Sequence, residues 1–134
     1  MRIFDFLKKK PKKHQLNEQD LRWNKFIEEI CFREISSLNE IQKIAVLSFW
    51  YDAEMNSGGH SGYFDCYPDT SPSELEEALI ELGGFAIAVN YRSALSNGEE
   101  DGFVETDTAF YKFSPSLTDL LRRFVEENRD GIFK

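Results

Sequence analysis

The chain has 134 residues, 41% of them hydrophobic and 14% aromatic, with a formal net charge of −8. That length is typical of one domain that buries a bulky core without disulfide or metal staples. The acidic balance argues against direct contact with nucleic acid, whose phosphates would repel it. No apolar run reaches the roughly 20 residues needed to span a membrane.

The charge is distributed unevenly along the chain. Residues 1–13 carry six basic groups and one acid, whereas the remainder carries ten basic and 23 acidic groups. We expect residues 1–16 to be a flexible basic leader and 17–134 to be an acidic domain. The leader places its apolar patch, residues 3–7, before its lysines, which is the reverse of a secretory signal. We interpret it as a solubilising tail, with contact to an anionic membrane surface as the alternative.

The cysteines and histidines form no pattern of a metal site or a disulfide framework. Cys31 and Cys66 lie 35 positions apart, and the chain has two histidines. No spacing matches a zinc or calcium loop, and no glycine loop is followed by the lysine that cradles phosphate. We therefore predict free thiols, a cytoplasmic location, and no metal or cofactor.

Helical patterns begin at Asn17, which is expected to cap a first helix. Its apolar stripe is predicted to run from Trp23 through Cys31 to Ile35. A second helix, from about Glu40 to Met55, is apolar on more than one face and should be central to the fold. The glycine pair 58–59 should stop it, and residues 60–67 should form a brief helical turn or loop with aromatic side chains packed inward.

Residues 71–95 predict two further helices. Ser71, Pro72 and Glu74 have the spacing of a capping box with proline in the first turn, and Gly83-Gly84 should end that helix. Its predicted inner face is Leu75, Ala78, Leu79 and Leu82. The predicted inner face of the next helix is Phe85, Ala88, Val89 and Leu95.

The remaining segments predict a mobile acidic loop at 99–102 and a last helix. Residues 103–113 are ambiguous, either extended at their start or forming a short helix capped by Asp107. Ser114 should cap the last helix, Pro115 should lie just inside it, and Gly131 should end it. Its predicted stripe is Leu117, Leu120, Leu121, Phe124 and Val125. Because no hairpin pattern appears, we predict an all-α fold, a single compact bundle of about five to six helices with a short N-terminal basic tail.

The segment Trp-Tyr-Asp-Ala-Glu-Met-Asn-Ser-Gly-Gly at 50–59, followed by Tyr63-Phe64, resembles the DNA mimic protein family. That family shows a Glu-x-Asn-x-Gly-Gly turn before a Tyr-Phe pair. Residues 77–79, 83–84 and 107–111 fit its later segments, so the resemblance covers about residues 18 to 132. The chain departs from the family pattern at His60, at Gly62 and at residues 65–68.

The resemblance implies an all-α domain that forms a dimer. For the protein that gives the family its name, it also implies an acidic surface that imitates duplex DNA and occupies a DNA-binding protein. Most members have no assigned role, and the departures after the glycine pair leave the partner of this chain open.

Two groups of residues are candidates for a functional site. The first is the turn that contains Glu54, Asn56, Gly58, Gly59 and His60. We interpret it as a structural turn in which Glu54 and Asn56 bond to backbone groups, with a polar acid–base pocket as the alternative.

The second candidate group consists of carboxylates that could meet a basic partner. Its members are Glu74, Glu77, Glu81, Glu99, Glu100, Asp101, Glu105 and Asp107. The first three recur on one helix face, about 5–6 Å apart. The alternative is that both clusters are ordinary solvated surface.

The leading hypothesis is a non-enzymatic acidic protein that occupies a basic, DNA-binding protein. The alternatives are a helical immunity or adaptor protein that binds one specific partner, and an enzyme that uses the Glu54–His60 turn.

Overall fold

The structure is a computed structural model, and it describes residues 16–134. The predicted leader therefore lies, except for Leu16, outside the described residues. Within 16–134 all regular secondary structure is helical, which confirms the predicted all-α class. The α-helices of this range are α1 (Glu18–Lys25), α2 (Glu40–Met55), α3 (Gly59–Cys66), α4 (Pro72–Glu81), α5 (Phe85–Asn97), α6 (Val104–Phe110), α7 (Leu117–Glu127) and α8 (Arg129–Ile132).

These eight helices exceed the predicted five to six because Gly59–Cys66 and Arg129–Ile132 form helices of their own. A π-helical turn, Phe26–Ile30, continues α1, and two 3₁₀ turns lie at Ile35–Ser37 and Gly98–Asp101. The segment predicted as a mobile acidic loop is thus largely a 3₁₀ turn.

Helix α1 begins as predicted and ends earlier than predicted. Asn17 Oδ1 accepts a hydrogen bond from the backbone N–H of Asp20 at 2.8 Å, which confirms the cap. Phe26, Ile30 and Cys31 are buried, but Ile35 is 43% exposed. The predicted buried stripe does not extend to Ile35. The helical segment ends with the π turn at Ile30, and Ile35 lies in a separate 3₁₀ turn.

Helix α2 has the predicted bounds and occupies the centre of the fold. Asn39 Oδ1 accepts from Gln42 N at 2.8 Å, and Gln42 Oε1 accepts from Asn39 N at 3.0 Å, so a capping box fixes its start. It packs against α3, α4, α7 and α8, and its Phe49 ring lies edge-on to Phe26 with centroids 5.9 Å apart. Contacts on several sides explain why its sequence is apolar around most of the helix.

Helix α4 confirms the predicted inner face but not the predicted capping box. Pro72 takes the first helical position, yet Ser71 makes no cap bond, and its Oγ lies 3.1 Å from Ser73 Oγ. The helix ends in a Schellman motif, in which Gly84 N donates to Leu79 O and Gly83 N donates to Ile80 O, both at 2.9 Å. Gly83 adopts a φ of +88° there. The buried residues are Leu75, Ala78, Leu79 and Leu82.

The predicted inner face of α5 is wrong for all but Ala88. Phe85 and Val89 are 67% and 53% exposed, and Leu95 is 41% exposed. The buried residues are Ile87, Ala88, Tyr91 and Ala94. This face of α5 is buried because Tyr91 meets Tyr51 of α2 edge-on, with ring centroids 5.4 Å apart, and because two small alanines let neighbouring helices approach.

The C-terminal part differs from the prediction at its helix starts. Phe103 has a φ of +65°, so this segment is not extended, and Asp107 lies within α6 rather than at its cap. Ser116, not Ser114, caps α7 by accepting from Asp119 N at 3.1 Å, so Pro115 precedes the helix. The predicted stripe Leu117, Leu120, Leu121, Phe124 and Val125 is buried, which confirms it. Helix α7 ends at Glu127, and Gly131 lies inside α8.

Candidate partner-binding surface

Three of the predicted partner-binding carboxylates lie along one groove. Glu74, Glu77 and Glu81 are exposed on α4, and Glu40 of α2 adds a fourth carboxylate on the opposite wall. The groove has a volume of about 270 Å³. Its remaining lining residues are Lys43, Ile44, Leu47 and Ala78. We call it the acidic groove.

The acidic groove contains one basic side chain, and that side chain is already paired. Lys43 Nζ lies 2.9 Å from Glu74 Oε2, and this hydrogen bond raises the pKa of Lys43. Among the described residues, no basic group lies within ion-pairing distance of Glu77 or Glu81. Within the part of the chain that the structure describes, these two carboxylates are therefore not neutralised by a basic side chain.

The negative charge of the domain is concentrated in α2 to α6. Residues 40–111 carry 14 carboxylate side chains and two basic ones, Lys43 and Arg92. Residues 112–134 carry four carboxylates and five basic side chains. Arg92 Nε lies 2.8 Å from Glu76 Oε2, so both basic groups of this segment are bound to glutamates. The segment thus presents almost no uncompensated positive charge.

The second predicted cluster lies around the 3₁₀ turn between α5 and α6. Glu99, Glu100, Asp101 and Glu105 are exposed there. The last three line a separate groove of about 170 Å³. Asp101 Oδ2 accepts from Glu105 N at 3.0 Å, which satisfies a free amide at the start of α6. The two acidic clusters consequently line different grooves, one between α2 and α4 and one between α5 and α6.

Asp107 does not belong with the other carboxylates of this cluster. Its Oδ1 accepts from the backbone N–H of His60 at 3.0 Å and lies 2.7 Å from His60 Nδ1. The Nε2 atom of the same ring lies 2.6 Å from the hydroxyl of Tyr51. Asp107 is therefore directed towards the interior and connects α6 to α3 and α2.

The glycine pair before His60 lets this connection form. Gly59 has a φ of +67°, and a Cβ at that position would lie 2.5 Å from Asp107 Oδ2. The absence of a side chain thus permits both the left-handed backbone and the close approach of the carboxylate. His60 itself is 0% exposed, and its ring stacks on those of Phe64 and Phe103, which also contact each other with centroids 5.6 Å apart.

The environment of His60 favours a neutral imidazole. Burial lowers its pKa, and the hydrogen bond that its ring donates to Asp107 opposes that effect without reversing it. With Nδ1–H donating to Asp107, Nε2 accepts from the Tyr51 hydroxyl, so all the polar groups of the ring are paired. A ring without exposed surface offers no atom to a substrate, and this geometry favours the structural interpretation of the turn.

The other members of the turn bond locally. The side-chain amide of Asn56 donates to Asp52 O at 2.8 Å and to Asp52 Oδ1 at 3.2 Å. Glu54 O accepts from the backbone N–H groups of Ser57 and Gly58 at 3.0 and 2.7 Å. Asn56 therefore closes the end of α2, as interpreted from the sequence, whereas it is the backbone carbonyl of Glu54 that serves the turn.

Sequence reasoning missed Asp52, which is 6% exposed on α2. The hydroxyl of Thr118, on α7, donates to its Oδ2 at 2.6 Å. Burial raises the pKa of Asp52, while the hydrogen bonds from Thr118 and Asn56 act in the opposite direction. The only sequence signal for Asp52 was the presence of an acidic residue within an apolar helix. Its hydrogen bond with Thr118 connects α2 to α7.

Sequence reasoning also missed a second groove next to the acidic one. Its volume is about 370 Å³, and it shares Leu47 and Glu74 with the acidic groove. Its apolar lining comes from Ile35, Leu47, Tyr67 and Pro68, and the exposed thiol of Cys66 lies in it. We call it the apolar groove. The two grooves therefore adjoin at Leu47 and Glu74.

A comparison with protein-family models matches most of the residues that form this architecture. The family model described as DMP19-like protein matches residues 36–128. The chain belongs to this family. The DMP19-like match contains α2 through α7, including both acidic clusters and the glycine turn. It confirms the resemblance at the level of the family.

Separate searches of curated proteins and of solved structures found no significant match. Within residues 16–134, no group of three or more histidine, cysteine or acidic side chains is arranged to hold a metal ion. No helix in this described range has the length and hydropathy that crossing a membrane would need. Both cysteines are free, Cys31 buried and Cys66 exposed.

Proposed function

We propose that this protein is a non-enzymatic acidic protein that occupies the DNA-binding surface of a basic partner. Its carboxylates would take the positions at which the partner otherwise binds DNA phosphates. The observation that carries the proposal is the charge of residues 40–111. This segment has 14 carboxylates, of which only Asp52 and Asp107 are held in interior contacts, and two basic groups that are both already paired. The DMP19-like family supports it, since DMP19 denotes DNA mimic protein 19.

The spacing of the carboxylates on α4 suits this role. Glu74, Glu77 and Glu81 follow one another at three and four residues, and such neighbours on a helix lie about 5–6 Å apart. Phosphates of one DNA strand repeat every 3.4 Å or so along the axis, which is comparable without being identical. Because a helix fixes the row, arginines and lysines of the partner meet charges that need little ordering on binding.

We leave Asp107 out of the proposed contact residues because its Oδ1 is bound to His60. The proposed contact residues are Glu74, Glu77, Glu81, Glu99, Glu100, Asp101 and Glu105. Whether one partner covers both acidic clusters depends on its size, and each cluster can be tested separately.

The proposal predicts a binding affinity that depends on charge position and on salt. Immobilised protein is exposed to nuclease-treated host lysate, and bound basic proteins are quantified at 50 mM and 300 mM NaCl. The Glu77→Gln/Glu81→Gln variant should retain several-fold less of the bound basic protein than the wild type, and salt should reduce the remainder, because exposed charges are screened over about 8–10 Å near physiological ionic strength.

The matched control is Glu28→Gln/Glu29→Gln, which removes the same charge from exposed positions outside residues 40–111. It should bind nearly as well as the wild type. Equal losses in both variants would mean that net charge alone governs capture. Capture of no basic protein at either salt concentration would contradict the proposal.

One observation favours the second candidate, a helical immunity or adaptor protein with one specific partner. Phe85 and Val89 are spaced four residues apart on α5, and both are more than half exposed. A partner held there would bind through shape and apolar contact and would survive moderate salt. Loss of binding in Phe85→Ser/Val89→Ser, with full binding in Glu77→Gln/Glu81→Gln, would favour this candidate over mimicry.

The dimer implied by the family resemblance and the cytoplasmic location stay predictions. Sedimentation velocity of the full chain at micromolar concentration tests the dimer directly.

A further inference from the structure

We propose that the apolar groove is the second half of the partner site. It binds one aromatic or aliphatic side chain of the partner, the anchor, while lysines or arginines of the same segment bind the carboxylates of the adjoining acidic groove. The partner is then a DNA-binding protein whose contact segment combines an apolar anchor with a cluster of basic residues. This inference rests on the proposed function and specifies the partner that the function requires.

The apolar groove lies at the end of a row of aromatic rings. Tyr67, in its lining, lies 6.1 Å from the Trp50 ring, which in turn lies 5.3 Å from the ring of Phe32. Phe32 is 68% exposed, and Ile35 in the lining is 43% exposed. A connected patch of aromatic and aliphatic surface with a polar rim is typical of a site that binds another protein.

The charge around the two grooves determines which protein can cover this patch. Among their described lining residues are one basic side chain, Lys43, which is paired with Glu74, and five carboxylates, Glu40, Asp69, Glu74, Glu77 and Glu81. A cationic segment is attracted to this site, whereas an acidic one is repelled. A second copy that presented its residues 40–111 would bring 14 carboxylates and two basic groups against the same charge. A basic partner is therefore the occupant that fits.

The acidic groove itself suits lysine and arginine side chains. Ile44 and Leu47 in its lining are half-buried and Ala78 is buried, whereas Glu77 and Glu81 are exposed. The floor is thus apolar and the rim is acidic. Lysine and arginine have an aliphatic stem that packs on such a floor and a charged head that reaches the rim. This combination of surfaces favours basic side chains over a small inorganic cation, which has no stem.

The two grooves are close enough for one short segment to occupy both. Leu47 and Glu74 line both of them. Glu74 and Glu81 are seven residues apart on α4, which is about 10 Å along the helix axis. An extended peptide covers that distance in about three residues. The anchor and the basic residues of the partner should therefore lie within about three or four residues of each other.

The two grooves contribute to binding in different ways. Contacts between exposed charges weaken as salt is added, whereas burial of apolar surface is not screened. A basic protein without an anchor is held by charge alone and is lost first as the salt concentration rises. The apolar groove thus selects one class of basic protein from the many that an acidic surface attracts.

Two fluorescein-labelled dodecapeptides test this inference on the full chain by anisotropy. Both carry four arginines, and three residues before them one peptide has a phenylalanine–leucine pair and the other has two serines. The anchored peptide should bind about tenfold more tightly, as expected for burial of roughly 55 Å² of apolar surface. An increase from 50 to 300 mM NaCl should weaken both peptides and leave their ratio near tenfold.

Matched variants locate the two halves of the site. Ile35→Ser should reduce the advantage of the anchored peptide to about threefold or less. Val89→Ser, which removes an exposed aliphatic side chain from α5, should leave that advantage unchanged. Glu77→Gln/Glu81→Gln should weaken both peptides by the same factor, because the charges bind the arginines that the peptides share.

Cys66 provides a second readout that needs no variant. Its thiol is exposed in the apolar groove, whereas Cys31 is buried and serves as the unreactive internal reference. Alkylation by N-ethylmaleimide, an uncharged reagent, is followed by intact mass and peptide mapping. Saturating anchored peptide should slow the alkylation of Cys66 several-fold, and saturating serine peptide should not.

The outcomes separate this inference from the proposed function. Equal affinities of the two peptides, or an advantage that Val89→Ser removes and Ile35→Ser retains, would overturn this inference alone. Alkylation of Cys66 that slows as the protein concentration rises, without peptide, would assign the apolar groove to a second copy and also overturn it. Failure of both peptides to bind at 50 mM NaCl would overturn it and count against the proposed function as well.

Discussion

Replacement of Asp107 by alanine tests the assignment of this carboxylate to the interior of the fold. Oδ1 of Asp107 accepts two hydrogen bonds from His60, at 3.0 Å from the backbone N and at 2.7 Å from Nδ1. The variant leaves both donors without an acceptor next to a residue that has no exposed surface. The substitution therefore removes a buried connection between α3 and α6.

The expected cost follows from these two bonds. Hydrogen bonds to a charged group contribute about 1.5–3 kcal/mol each, and the side chain of Asp107 is 29% exposed, so the lower end applies. Alanine regains about 0.6 kcal/mol of helix propensity within α6. The net loss of unfolding free energy is thus about 2.4 kcal/mol, which lowers the Tm of a domain of this size by about 10 °C.

Urea unfolding followed by circular dichroism measures this loss. Glu105→Ala is the matched control, since it removes an exposed carboxylate from the same helix and should change stability by less than about 0.5 kcal/mol. Asp107→Asn retains one acceptor oxygen and should fall between the two. If Asp107→Ala and Glu105→Ala were equally stable, the contact with His60 would not stabilise the fold.

Two further predictions concern the same turn. Because burial lowers the pKa of His60, the unfolded chain takes up a proton below pH ~6.5 before the folded one does. The unfolding free energy should therefore decrease between pH 7.5 and pH 5.5, and it should decrease less in His60→Phe; equal decreases would be evidence against this account. Gly59→Ala should lose about 3 kcal/mol, because its Cβ would lie 2.5 Å from Asp107 Oδ2, whereas Gly102→Ala has the same sign of φ and open space and should lose about 1 kcal/mol. Similar losses in the two alanine variants would contradict the close approach.

The parts of the fold that sequence reasoning predicted correctly rest on local signals. The bounds of α2 follow from an apolar run of helical length between Asn39 and the glycine turn. The stripe of α7 could be predicted because its polar and apolar residues separate cleanly around the helix. Such patterns depend on residues within one or two helical turns, so contacts with distant parts of the chain do not change them.

The errors arose where distant contacts decide between locally equivalent choices. Helix α5 is apolar on several sides, and only its packing against α4, α6 and Tyr51 selects Tyr91 over Phe85 as an inner residue. Glu74 had the position of a capping-box residue, but it pairs with Lys43 of α2 instead. Neither outcome is contained in the local sequence.

The candidate site was predictable in composition but not in arrangement. The carboxylates of α4 could be assigned to one face from their spacing, and the structure places them along one groove. Asp107 was grouped with the surface acids because its partner, His60, is 47 residues away in sequence. The apolar groove is formed by three separate segments around Ile35, Leu47 and Tyr67, and no sequence pattern joins them.

Competition with duplex DNA distinguishes mimicry from other modes of binding. The basic protein captured by this chain is purified and bound to a fluorescently labelled duplex, and the chain is titrated into that complex while anisotropy is recorded. If the chain mimics DNA, we expect complete release of the duplex, a midpoint that rises in proportion to the DNA concentration, and weaker displacement by Glu77→Gln/Glu81→Gln than by Glu28→Gln/Glu29→Gln. A stable complex that contains the partner, the duplex and this chain together would contradict it.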